Sequence, residues 1–201
     1  MDALIERAIA YVQVLFSGNS GGHDASHTMR VYHNAMLLSS HYPECDVETV
    51  ALAALLHDAD DGKLFKTSNF ANARNFLHEN GLTEARIDEI CSVISMVSFS
   101  LNKGKKPDTI EAKLVQDADR LDAIGAIGIA RTFAYGGEHR RPMSSTIQHF
   151  HEKLLLLKEL MNTPEARTMA EERHRFMERF LAQYQSELGE TECVGNKNRK
   201  P

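Results

Sequence analysis

Three short stretches of this 201-residue chain place imidazoles and carboxylates where a helical core would otherwise be. In Gly22-His23-Asp24-Ala25-Ser26-His27 two histidines stand four apart, on one face if the helix is continuous. Arg30 lies three beyond His27 on that face, whereas a lone histidine such as His23 also serves as a cap or surface residue. In Leu55-Leu56-His57-Asp58 a His-Asp pair ends the most apolar helix of the chain. A carboxylate desolvated there needs compensation. A divalent cation accepting an Asp58 oxygen and a His57 nitrogen would supply it, and so would a buried His–Asp hydrogen bond. In Leu114–Asp122 the acids Asp117, Asp119 and Asp122 interrupt another apolar helix. At least one of them must meet a cation, whether a metal, an Arg or a Lys.

Together these clusters carry more weight than each alone. One His from an early helix, a His-Asp pair from a middle one and an Asp from a later one make four N/O ligands, and a helical bundle is a suitable place to converge them. Imidazole with carboxylate suits Mn, Fe, Co, Ni or Zn, in preference to Mg or Ca. With no thiolate in the set, coordination positions stay open to water and substrate, which is a catalytic arrangement.

The elements that must hold these residues are helices. Hydrophobic residues make up 42% and charged residues 25%, a globular composition that excludes disordered and low-complexity classes. Helical periodicity runs nearly throughout, and strand patterns are almost missing. The expected fold is all-α, one helical bundle of about eight or nine helices. The pattern predicts helices over 3–16 and 25–41, then one capped by Asp46. Further helices follow: from Ser68 or Asn69 to Glu79, from Thr83, from a capping box at Asp108/Glu111, and over 126–134. A Ser145/Gln148 box predicts a long helix to Met161, and Thr163-Pro164 starts the last one, to about Leu188. The domain is expected to span 1–190, with 191–201 as a flexible tail.

The order His27 … His57-Asp58 … Asp119 resembles the ligand pattern of the HD-domain superfamily of metal-dependent phosphohydrolases. The segments HxxRV (27–31), LLHDADDGK (55–63), SFS (98–100), DADRLDAIGAIGIARTFAYGG (117–137) and HFHEKLLLLKELMNTPEARTMAEERHRFM (149–177) are similar to its small single-domain branch. The likeness covers Gly22 to Glu187, and the block around DADRLDAIGAIGIARTF is its most specific part. The resemblance implies a metal held by His27, His57, Asp58 and Asp119. Asp119 is preferred to Asp117 because the matching pattern reads Ala-Asp-x-Leu. It implies one metal rather than two, since His78 is the one histidine between the HD pair and the last Asp. It also implies that Asp61 positions or deprotonates the attacking water. Members hydrolyse phosphomonoesters, phosphodiesters or nucleotide phosphoanhydrides, and some relatives release pyrophosphate from nucleoside triphosphates.

With Asp58 and Asp61 as the catalytic acids, Lys63 and Arg30 are the nearest candidates for substrate phosphate, or alternatively salt-bridge partners of the buried acids. The basic loops 103–106 and 138–141 are weaker candidates. The Met and Phe residues between 161 and 180 fall at helical spacing and read as core. The net charge of −5 disfavours long nucleic acid and anionic membranes. No apolar run is long enough to span a bilayer. Cys45, Cys91 and Cys193 form no CxxC pair, which fits a reducing, cytoplasmic setting. The expected partner is a small phosphorylated substrate, a nucleotide first, and a homo-oligomer is compatible with the sequence. The competing readings are a phosphodiesterase for cyclic nucleotides or oligonucleotide ends, and a non-catalytic HD module that binds a nucleotide or a partner.

Overall fold

Helical periodicity is realised throughout the computed structural model, which describes residues 3–18, 24–98, 102 and 105–189. Among these are nine α-helices, one 3-10 segment and no strand. The helices are α1 (Ala3–Leu15), α2 (Ala25–Ser39), α3 (Val47–Leu56), α4 (Ala71–Glu79) and α5 (Glu84–Ser95), then α6 (Ile110–Asp122), α7 (Gly125–Glu138), α8 (Met143–Glu152) and α9 (Pro164–Glu187). No described helix is long and apolar enough to cross a membrane. His23, Phe99, Ser100, Lys103 and Gly104, and the expected tail at 191–201, lie outside the described residues.

The centre is α3. Every residue from Thr49 to Leu56 is buried, so this helix shows no polar face. It packs against α1, α2, α5 and α6, and α2 lies along α6. Asp46 caps α3 by accepting from the Thr49 N–H, as its sequence position predicts. Thr83 and Thr163 cap α5 and α9 in the same way, with Pro164 in the first turn of α9.

Three starts differ from expectation. α4 begins at Ala71, not at Ser68 or Asn69, because its cap is remote: the Asp60 carboxylate accepts from the N–H groups of Asn72 (2.9 Å) and Ala73 (3.0 Å). Thr109, not Asp108, caps α6. Glu111 is thereby released to accept from the Asp46 N–H at 3.0 Å and ties the start of α3 to α6. Ser145 lies inside α8, which starts after Pro142 and stops at Lys153. From there to Leu160 the chain is 3-10. Leu154 and Leu157 are buried while Leu156 is exposed, and burying every third residue fits three residues per turn rather than an α-helix.

The α6–α7 corner brings the later site residues round. Gly125 opens α7 with φ +76°, and a Cβ on Gly128 would overlap the Ala123 carbonyl. Only glycines permit so abrupt a reversal. The buried Gly136 then lets α7 approach Thr146 of α8, so α7 continues to Glu138, beyond the predicted end at Ala134.

Candidate metal centre

His27 enters the site from the first turn of α2, where the Asp24 cap accepts its N–H at 2.7 Å. His57 is the C-cap of α3 and Asp58 follows in the turn, so the end of the most buried helix delivers both. Asp119 comes from the last turn of α6.

Four segments thus meet at one point. The two Nε2 atoms of His27 and His57 are 3.3 Å apart. Asp58 Oδ2 lies 3.4 Å from His27 Nε2 and 3.3 Å from His57 Nε2. Asp119 Oδ1 lies 3.5 Å from His27 Nε2 and 4.0 Å from His57 Nε2. Donors about 2.0–2.2 Å from a common centre stand roughly 3.0–3.5 Å apart when adjacent and about 4.2 Å when opposite. The spacing therefore fits one ion. His27, His57 and Asp119 can hold it, with their donor atoms within 4.8 Å of one another, and Asp58 faces both imidazoles.

The imidazoles are set up as donors by what their other nitrogens do. His27 Nδ1 pairs with Asp122 Oδ2 at 2.7 Å, and His57 Nδ1 with the Ala54 carbonyl at 2.9 Å. Both protons belong on Nδ1, which leaves two Nε2 lone pairs facing each other. Such an arrangement needs a positive charge between them. Burial lowers the pKa of His57, but Asp58 and then Asp119 outweigh burial and push it up to about 9. His27 is likewise raised: burial works against the charge, and Asp122 and Asp58 overcome it. The carboxylates call for a cation at the point the two lone pairs share. The oxygen and nitrogen donors suit a divalent transition metal.

Asp122 is the buried anchor of this arrangement. Besides His27 it accepts from Arg30 Nε at 2.6 Å and Nη2 at 3.2 Å, and from Arg131 Nη1. Burial raises its pKa, but His27 and Arg30 reverse the effect and leave it well below the usual carboxylate range. Of the expected substrate contacts, Arg30 is therefore turned onto Asp122. Lys63 is exposed, and its N–H donates to Asp61 Oδ1 at 2.8 Å. Asp61 itself lies one turn past Asp58, whose carbonyl its N–H meets at 3.0 Å. Sequence reasoning names Asp122 among three acids but gives it no place in the site, although its spacing of three from Asp119 puts both on one face. It misses Arg131, which sits in an ordinary helical pattern and reaches the site only through tertiary packing.

Comparison with known proteins agrees with this geometry. The HD domain family model matches residues 24–124. The Bacillus subtilis protein YpgQ is 38% identical over 192 residues, covering 91% of this chain and 93% of its own length. Its crystal structure in complex with ADP superposes with a TM-score of 0.78, at 36% identity over 91% of this chain and 97% of that one. An HD-superfamily hydrolase from Bacillus thuringiensis gives a TM-score of 0.75, at 39% identity over 92% and 96% of the two chains. The chain belongs to the HD-domain family.

Proposed function

We propose that this protein is a metal-dependent phosphohydrolase acting on a nucleotide or another small phosphate ester. The observation that carries the reading is the convergence of two tautomerically fixed Nε2 donors with two carboxylates, partly open to solvent. In the side chains, exposure rises from 2% at His27 and 3% at His57 to 12% at Asp58 and 26% at Asp119. Substrate would enter on the Asp119 side. The hydrolase named above and the ADP held by YpgQ support a hydrolytic reaction on a nucleotide.

In this reading His27, His57, Asp58 and Asp119 hold one divalent ion. When bound, the ion acidifies a water and polarises a phosphoryl oxygen. Asp122, fixed by Arg30 and Arg131, keeps the His27 proton on Nδ1 and so keeps Nε2 available. Asp61 accepts the proton of the attacking water, its carboxylate oriented by the Lys63 N–H. The Lys63 ammonium offsets charge on the phosphate oxygens as the leaving group departs. Arg30 acts through Asp122 and His27, not on substrate.

The test is release of phosphate and pyrophosphate from a panel of NTPs, dNTPs, nucleoside monophosphates and cyclic nucleotides, with Mn, Co, Ni or Mg. Wild type should turn over at least one phosphoanhydride or monoester, and Asp58→Ala should lose more than about 100-fold of that rate. Equal rates for the two proteins on every substrate would overturn the reading. Turnover confined to cyclic nucleotides would replace it with the diesterase.

A further inference from the structure

α6 is held to the C-terminal part of the chain at more than one point. Asp117 accepts from Asn162 and Thr163, and Arg120 Nη1 donates to the Leu160 carbonyl. These contacts fasten the helix to the start of α9. The end that carries Asp119 and Asp122 is reached by another residue, Arg173, about two and a half turns into α9. Its Nη1 donates to the Leu121 carbonyl at 2.5 Å, one residue before Asp122. Its Nη2 donates to Asn34 Oδ1 at 3.4 Å, and Asn34 Nδ2 donates in turn to the Ala118 carbonyl at 3.3 Å, one residue before Asp119. Asn34 stands seven residues beyond His27, two turns along the same face of α2. Side chains from α9 and α2 thus take hold of the carbonyls that precede both site carboxylates.

The stem of Arg173 is placed as firmly as its head. A Cβ on Gly125 would come within 3.0 Å of both Cβ and Cγ of Arg173, so the arginine packs into the space that the glycine corner leaves. The guanidinium then lies at the C-terminal end of α6, where outward carbonyls and the helix dipole favour a cation. The side chain is half-buried, and its hydrogen bonds go to neutral oxygens. Neutral acceptors compensate a desolvated charge less than a carboxylate would. What the arrangement achieves is mechanical: one planar group fixes the last turn of α6 relative to α2, the helix that brings His27.

We propose that Arg173 is a positioning residue for the metal centre: its guanidinium braces the end of α6 against α2 and so sets Asp119 and Asp122 opposite His27. The inference rests on the metal-site reading for one of its two readouts and is independent of it for the other. In the metal-free protein the His27 Nδ1 proton, held by Asp122 at 2.7 Å, should give a resolved NMR resonance protected from solvent exchange. Arg173→Met should shift that resonance or abolish its protection. In a Mn titration the same variant should bind roughly 10- to 100-fold more weakly, the loss typical of a group that orients metal ligands. Arg173→Lys keeps a donor for the Leu121 carbonyl and should recover part of both. Asp117→Ala, which loosens the start of α9 instead, is the control and should leave both readouts at their wild-type values. Asn34→Ala removes the α2 half of the brace; it should move the same resonance and weaken Mn binding by a smaller factor, and it decides the matter if Arg173→Met does not fold. Either readout staying at its wild-type value in the folded variant would overturn the proposal. Equal changes in Asp117→Ala would also overturn it, leaving Arg173 as general support for α9. Should wild type bind no Mn, the metal reading fails, and the His27 resonance alone decides whether Arg173 sets Asp122.

Discussion

Asp117 and Asp122 are both buried on α6, at 0% and 2% exposure, and yet they live in opposite electrical surroundings. Asp122 is met by an imidazole and two guanidiniums, and its pKa is depressed. Asp117 accepts from the N–H groups of Asn162 and Thr163, from the Asn162 side-chain amide and from the Thr163 hydroxyl, at 2.8–2.9 Å. Burial is the largest influence on it, and its pKa is raised. One end of the helix stores charge for a site, and the middle latches the cap of α9. Burial of a carboxylate therefore says little about its role until its partners are counted as charged or neutral.

The sharpest way to break this contrast is at Asp119, which shares the face of Asp122. Asp119→Asn should reduce Mn affinity by more than about 100-fold, beyond the range typical for a residue that only supports a ligand. Its far-ultraviolet circular dichroism should be unchanged. If Asn at this position bound Mn as wild type does, the charged end of α6 would not be a metal site.

The converse variant, Asp117→Ala, should leave two backbone N–H groups and the Thr163 hydroxyl without their acceptor. A stability loss of about 2–4 kcal/mol is expected, read as a lower urea midpoint at unchanged slope. Below the transition the folded variant should bind Mn with wild-type affinity. A large change in Mn affinity would erase the division between the two regions.

Between these lies Asp122→Asn. The amide can still meet His27 Nδ1, but it no longer stabilises the tautomer by charge, and Arg30 and Arg131 lose their counter-ion. Removing such a supporting partner typically costs 10- to 100-fold in metal affinity, and that is the expected effect in a Mn titration. The guanidiniums are 33% and 25% exposed, so water takes over much of their solvation and the apo fold should persist.

How much of this is legible in the residues follows the same line between local and remote partners. Caps that lie within a few residues, such as Asp46, Thr83 and Thr163, mark their helices in the sequence. The Asp60 cap of α4 reaches across twelve residues and is invisible locally, so that helix starts later than its own residues predict. Likewise His27, His57, Asp58 and Asp119 stand out because polar groups interrupt apolar helices. A helical wheel places Asp119 and Asp122 about 60° apart and Asp117 roughly opposite, so periodicity by itself separates latch from site. Arg131 offers no such signal. Its place depends on the glycine corner at Gly125–Gly128, from which α7 starts.

The smallest effect belongs to a carboxylate with both kinds of partner on the surface. Asp46 accepts from the Thr49 N–H and hydroxyl, each at 3.1 Å, and pairs with Arg86 at 2.6 Å. It is 38% exposed. Burial is the largest single influence and raises its pKa, but the Thr49 N–H, Arg86 and the Thr49 hydroxyl together outweigh it, so it lies below its ordinary value. A depressed carboxylate binds fewer protons folded than unfolded near its unfolded pKa. Its contribution is therefore complete above about pH 4 and is lost as pH falls through the lower folded value. Asp46→Asn keeps the cap and removes the charge, so at pH 7 it should cost less than about 1 kcal/mol, because water and salt screen the pair. Urea midpoints for the two proteins should differ slightly at pH 7 and converge as pH falls through the lowered folded value. A gap that widened on acidification would mean that the cap geometry, not the charge, carries the interaction, and that neutral donors suffice at the surface as they do for Asp117 in the core.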